Sequence, residues 1–138
     1  MELKLIKNTD MSNRMQMAYQ IARVVYATSG AQTLPLVEAF TSMIKNRAEK
    51  SATTITDVIE DKLLFPVLDC AHPNHNLLSV PADNRALQMC LRTALRMLND
   101  NLPDSCYGAT TYHYADTLPD WAFSRGYIAD IENVLFYL

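Results

Sequence analysis

The chain has 138 residues, with twelve lysines and arginines against fifteen aspartates and glutamates, for a formal charge of −3. That is the length of one domain, which buries roughly two-thirds of its unfolded surface and needs neither metal nor disulfide to hold a core. The acidic balance is wrong for a phosphate-backbone footprint, and three glycines (Gly30, Gly108 and Gly126) cannot build a glycine-rich nucleotide loop, so nucleic acid and nucleotide cofactors are excluded as first expectations.

The opening residues, Met-Glu-Leu-Lys-Leu-Ile-Lys, interrupt the apolar run that a signal peptide needs. No stretch reaches the ~18–20 apolar residues of a membrane span. The expectation is a chain without an export signal, cytoplasmic or carried within a larger assembly such as a virion. Asp10 or Ser12 can cap a first helix running to about Ala27, with Met15, Ala18, Ala22 and Val25 on one face. Thr28, Ser29 and Gly30 then break it. A second helix fits Pro35 to about Ala48, with Thr33 as its cap and the proline where its missing N–H costs nothing. Leu36, Val37, Phe40, Met43, Ile44 and Arg47 share its inner side, and Glu38, Thr41, Ser42 and Lys45 the other. Thr54-Ile-Thr-Asp57 reads as a capping box opening a short third helix to about Asp61.

Residues 62–82, with Pro66, Pro73 and Pro81, form a long connection, a length that usually means something orders it. The clearest helix follows, from a cap at Asp83 to about Asn99, with Leu87, Cys90, Leu91, Ala94, Leu95 and Leu98 as its apolar stripe. Then the texture changes. Residues 109–114 and 133–137 are β-branched and aromatic, and two short strands can pair across the loop carrying Trp121. The pattern predicts one mainly helical α+β domain over residues 1–138, with a small C-terminal β-hairpin or sheet.

Three constellations are candidates for chemistry. Cys70, His72 and His75, with His113 as a fourth ligand, have zinc-binding residue types, but the proline-containing loop puts the two histidines on no common helix face. Scattered loop histidines are the plainer expectation, with no metal or cofactor. The three cysteines are an odd number without C-x-x-C spacing, which predicts free thiols. Tyr107, Tyr112, Tyr114, Trp121, Phe123 and Tyr127, interleaved with Thr110, Thr111, His113 and Asp116, fit either a carbohydrate groove wall or a tyrosine-rich packed sheet. No Gly-x-Ser-x-Gly elbow is present.

Five blocks in order resemble the cell-wall hydrolases typified by the spore-cortex-lytic enzyme. They are Ala22-Arg-Val-Val-Tyr26 with Asn46-Arg47; Thr54-Ile-x-Asp57-Val-Ile59 with Phe65; Asp104-x-x-x-Gly108-Ala-Thr-x-Tyr-His113; Pro119-x-Trp121; and Ile131 followed by Phe136-Tyr137. The similarity spans roughly residues 18–138. It implies a lysozyme-like fold related to lytic transglycosylases, acting on the glycan strands of peptidoglycan. In that chemistry a glutamic acid protonates the glycosidic oxygen and then serves as base, help worth ~10²–10⁴ in rate, with no metal.

The departures from the family pattern matter most. The family's catalytic glutamate position is Thr28, whose hydroxyl is no general acid near neutral pH. The family's Gln-Phe-Ser is Leu64-Phe65-Pro66, its Ile-Gly-x-His is Ile131-Glu132-Asn133-Val134, and the first glycine of its Gly-Gly-Ala loop is Tyr107. The resemblance therefore implies a retained scaffold with a dismantled site, binding a peptidoglycan glycan strand or a protein partner, as in a phage particle or secretion apparatus. Phe65, Tyr112, His113 and Trp121 are its expected sugar-contacting residues. A cytoplasmic regulator is equally compatible. The alternative is an active glycosidase with a relocated carboxylate, the candidates being Glu38 and Glu132, with Asp104 or Asp116 across the groove.

Overall fold

The computed structural model describes residues 2–138, with side chains from residue 13 onward. Four α-helices precede a small sheet. They are α1 (Glu2–Ser29), α2 (Leu34–Lys50), α3 (Ile55–Ile59) and α4 (Arg85–Leu98), and the strands are β1 (Thr111–Tyr114), β2 (Ala129–Ile131) and β3 (Val134–Tyr137). This is the mainly helical α+β architecture that the sequence predicts.

The first helix starts at Glu2, well before the caps expected at Asp10 and Ser12. No glycine or proline interrupts residues 2–29, and Asn, Ser, Thr and Asp are only mildly unfavourable inside a helix, so neither candidate cap halts it. Ala18, Ile21, Ala22 and Val25 make its buried stripe, while Met15 is 38% exposed beyond the edge of the core.

In α2 the Thr33 side chain accepts from the Leu36 N–H, as the sequence predicts, and Pro35 sits in the first turn. The expected polar side of this helix is nevertheless buried at Thr41 and Ser42. A helix packed by α1, α3 and α4 has little free face. Thr41 meets the cost of burial by donating to the Val37 carbonyl at 2.8 Å, and Ser42 reaches the Pro103 carbonyl at 3.4 Å. The capping box of α3 is formed in both directions, Thr54 with Asp57. The cap of α4 is Asn84 rather than Asp83, its Oδ1 accepting from the Leu87 N–H at 3.0 Å. Inside residues 62–82 two 3₁₀ turns, Pro66–Leu68 and His75–Ser79, give the connection local order.

The sheet has the order β1-β3-β2, antiparallel throughout, with Tyr112 and Ala129 both opposite Phe136. The β1–β3 pair matches the expected hairpin strands, and β2 is an addition. It was hidden because only three residues pair. The β2–β3 turn is the two-residue Glu132-Asn133, both at left-handed φ (50° and 64°), the mirror-image geometry that suits twisted strands.

Phe40 joins the two layers. It is fully buried on α2, with its ring edge-on to Tyr112 (centroids 4.8 Å apart) and to Phe136 (5.4 Å). Phe40→Ala is expected to cost about 3–5 kcal/mol of unfolding free energy in urea denaturation, the range for emptying an aromatic core site.

Candidate functional site

The C-terminal end of α1, the connection after α3, strand β1 and the loop after it surround a groove of about 570 Å³. Thr28 enters from α1; Leu64, Pro66 and His72 from the connection; Tyr112, His113 and Tyr114 from β1; and Asp116, Leu118 and Trp121 from the following loop.

Thr28 therefore lies on the groove wall, where the resemblance expects a glutamate. Its backbone carbonyl belongs to the last turn of α1, whose carbonyls lack helical partners, and it accepts a hydrogen bond from the Tyr114 hydroxyl. Its own Oγ1 is buried and has no partner among the described residues. This side chain offers no ionisable proton and no exposed hydroxyl to a ligand.

Tyr112 is almost wholly buried, and its hydroxyl donates to the Leu64 carbonyl at 2.8 Å. Burial, with the neighbouring Tyr114 phenol adding to it, drives its pKa far up. Tyr114 is pushed up to about 12, first by burial and then by the negative charge of Asp116. Neither phenol is a base near neutral pH.

His113 is 7% exposed, its ring nearly stacked on Tyr137. Nδ1 lies 2.7 Å from the Tyr114 carbonyl, which only accepts, so Nδ1 carries hydrogen. In the neutral ring Nε2 is then the acceptor for the Tyr137 hydroxyl at 2.8 Å. Both nitrogens are thus engaged by protein, leaving His113 as a wall rather than a proton shuttle. Trp121 is the open aromatic. It is 39% exposed, edge-on to His113 and Tyr137, with the Arg125 guanidinium 5.4 Å from its ring centroid.

Phe65 corrects the sequence reading. It is fully buried against Tyr112, so it has no surface for a sugar, and its neighbours Leu64 and Pro66 line the groove instead. The bond from Tyr112 to the Leu64 carbonyl pins the chain at this point, with the next ring turned into the core.

The two expected substitute acids lie elsewhere. Glu38 forms an ion pair with Arg96 of α4 at 2.8 Å, joining two helices. Glu132 is exposed in the β2–β3 turn. Asp104 is committed to the loop before β1, accepting from the Cys106 N–H at 3.1 Å and the Gly108 N–H at 2.7 Å. Asp116 is the one carboxylate among the described groove residues.

The loop at Asp104 unites several blocks of the motif set. Asn46 reaches from α2 to the Asp104 carboxylate at 3.4 Å and to the Ala109 carbonyl at 3.2 Å, and Arg47 donates to the Thr110 carbonyl at 3.1 Å. Gly108 takes a left-handed φ of 82° that admits the N–H to carboxylate bond, and Tyr107 precedes it at φ 56°. Partial burial raises the Asp104 pKa, but the hydrogen bonds from Cys106, Asn46 and Gly108 outweigh it, and the net direction is down.

The Cys-His segment comes together as local turns. His72 Nδ1 accepts from the Asn74 N–H at 3.0 Å, and His75 Nδ1 donates to the Val67 carbonyl at 2.9 Å. Among the described residues no group of three or more His, Cys, Asp or Glu side chains is placed to hold a metal. The cysteines are free. Cys70 is exposed, while burial pushes the thiols of Cys90 and Cys106 up to about 12, for Cys106 with help from the Asp104 charge. No described helix is long and apolar enough to cross a membrane.

Sequence reasoning brought residues 64–66 to the site but missed the part that Leu63, Val67, His72 and Asn74 play in the groove. The signal was the length of the connection, which asked for something to order it. No protein-family model, curated protein or solved structure gives a significant match to this chain.

Two outcomes follow from these bonds. Tyr137→Phe leaves the buried Nε2 of His113 without its donor and is expected to cost about 1–3 kcal/mol in urea denaturation. Because the folded Asp104 pKa lies below its unfolded value, its contribution is complete above the ordinary aspartate range. It is lost as pH falls through the lowered folded value. An NMR titration is expected to show the Asp104 carboxyl titrating below the ordinary aspartate range, with the Gly108 amide shift following it.

Proposed function

We propose that this chain is a cell-wall-hydrolase-like domain of lysozyme-like ancestry that holds a glycan strand of peptidoglycan without cleaving it. It serves as a glycan-binding or structural module, for example in a phage particle or secretion apparatus. One observation carries the reading: Thr28, at the position of the family's catalytic glutamate, stands on the groove wall with its hydroxyl buried and no ionisable group in its place.

The distribution of matches and departures supports it. The matching residues Asn46, Arg47, Asp104 and Gly108 form a structural bracket between α2 and the loop before β1. The departing residues Thr28, Leu64 and Pro66 line the groove, and Val134, at the position of the family's imidazole, is core. A bracket that matches the family pattern beside groove positions 28, 64 and 66 that depart from it fits a scaffold used for shape. Trp121, with open indole surface beside His113, Asp116 and Thr117, supplies the apolar face and polar partners that a sugar ring needs.

A second reading has its own observation. Asp116 is a carboxylate on the same wall, and an active glycosidase with a relocated acid needs one. Glu38 is poorly suited to that role because its carboxylate is paired with Arg96.

Purified protein is expected to co-sediment with purified sacculi and to release no soluble muropeptides. Trp121→Ala is expected to weaken sedimentation about tenfold, in line with loss of ~1–1.5 kcal/mol of aromatic contact. Failure of the wild type to sediment with sacculi, its fold intact by circular dichroism, would refute glycan binding. Muropeptide release abolished by Asp116→Asn would instead establish the second reading.

A further inference from the structure

A second depression, of about 650 Å³, lies on the outer side of α4. Arg85, Arg92 and Arg96 line it, seven and four residues apart, so all three fall on one helical stripe over a span of about 16 Å. Its floor is apolar, from Leu34 (44% exposed), Met89 and Leu95. No acid lines it. Arg96 has Glu38 as its neighbour, whereas Arg85 and Arg92 are exposed and have no hydrogen-bond or ion-pair partner among the described residues.

The chain also carries the complement of this surface. Residues 116–132 hold four acids (Asp116, Asp120, Asp130 and Glu132) against Arg125 alone, a net −3 that equals the formal charge of the whole protein. The same segment exposes Leu118 (57%), Phe123 (74%) and Tyr127 (55%). None of the residues lining the arginine groove comes from this segment, so the two surfaces do not satisfy each other within one molecule.

We propose that the protein associates head to tail with copies of itself. The acidic aromatic segment 116–132 of one molecule seats on the arginine groove of α4 in the next. Carboxylates meet the two unpaired guanidiniums, and Phe123 or Tyr127 covers the Leu34–Met89 floor. The apolar floor favours a protein occupant over a nucleic acid, whose phosphate backbone has nothing to place on it. Because the contact joins two different surfaces, it is heterologous and repeats, giving a ring if it closes and a filament if it does not.

The test is sedimentation equilibrium of the full chain across concentration and salt. Wild type is expected to rise in mass with concentration at low salt. It should return to monomer at about 1 M salt, where the screening length is about 3 Å. Arg85→Glu with Arg92→Glu removes the groove, and Asp120→Lys with Asp130→Lys removes the segment; all four side chains are exposed. Each double variant alone is expected to be monomeric. Mixed, they are expected to form a 1:1 complex and nothing larger, since one intact groove meets one intact segment. A wild type monomeric at every concentration at low salt would overturn the proposal. So would assembly that survives either double variant. A monomeric protein that binds poly-glutamate through Arg85 and Arg92 would replace the second copy with a foreign acidic partner. The salt series on wild type stands by itself if a variant fails to fold.

Discussion

The contact of Phe40 with Tyr112 and Phe136 is the joint on which the groove depends. Strands of three and four residues do not make a sheet that survives in water alone; they need a partner layer. Phe40 is that layer's principal ring, and it fixes Tyr112 at one end. The other end of Tyr112, its hydroxyl, holds the Leu64 carbonyl and with it the start of the long connection. One buried tyrosine thus ties α2, the sheet and the connection together. The groove wall from Leu64 to Tyr114 is the outward consequence of that core contact.

The bracket of Asn46, Arg47, Asp104 and Gly108 works differently, through backbone groups that would otherwise be stranded. The loop before β1 is too irregular to satisfy its own amides and carbonyls. Asp104 takes the N–H groups of Cys106 and Gly108, while Asn46 and Arg47 take the carbonyls of Ala109 and Thr110. Loss of a member costs most where it strands a partly buried group, as at the Cys106 N–H and the Ala109 and Thr110 carbonyls. Groove residues face a looser constraint. Leu64 and Pro66 line the wall without donating or accepting through side chains.

Both surfaces proposed for binding draw on the segment after β1. Its near edge, Asp116 and Trp121, belongs to the groove, and its far part, Phe123 to Glu132, carries the exposed rings of Phe123 and Tyr127 and two of the segment's four acids. An assembly that uses the far part leaves Trp121 beside the groove. The proposed glycan holding and the proposed self-association are then compatible in one molecule.

Local signals were legible from residues alone. Thr33 with Pro35, and the Thr54–Asp57 box, set helix starts through bonds within four residues, and the stripe of α4 follows from spacing. The β1–β3 pairing was readable because aromatic and β-branched residues recur at the right period. What depended on distant neighbours was not legible. Thr41 and Ser42 look like a solvent face until α2 is enclosed, Phe65 looks like a ligand contact until Tyr112 pins its neighbour, and β2 has too few residues to announce itself. The sequence by itself determined the α+β class, the starts of α2 and α3 and the absence of a glutamate at position 28, since these rest on residue type and short-range spacing. Only the tertiary structure decided that Thr28 joins Trp121 and Asp116 on one wall, that Glu38 belongs to a helix pair, and that Leu34 of α2 joins the arginine stripe of α4. Each of those is a meeting of segments far apart in the chain, which core packing brings about and no local pattern encodes.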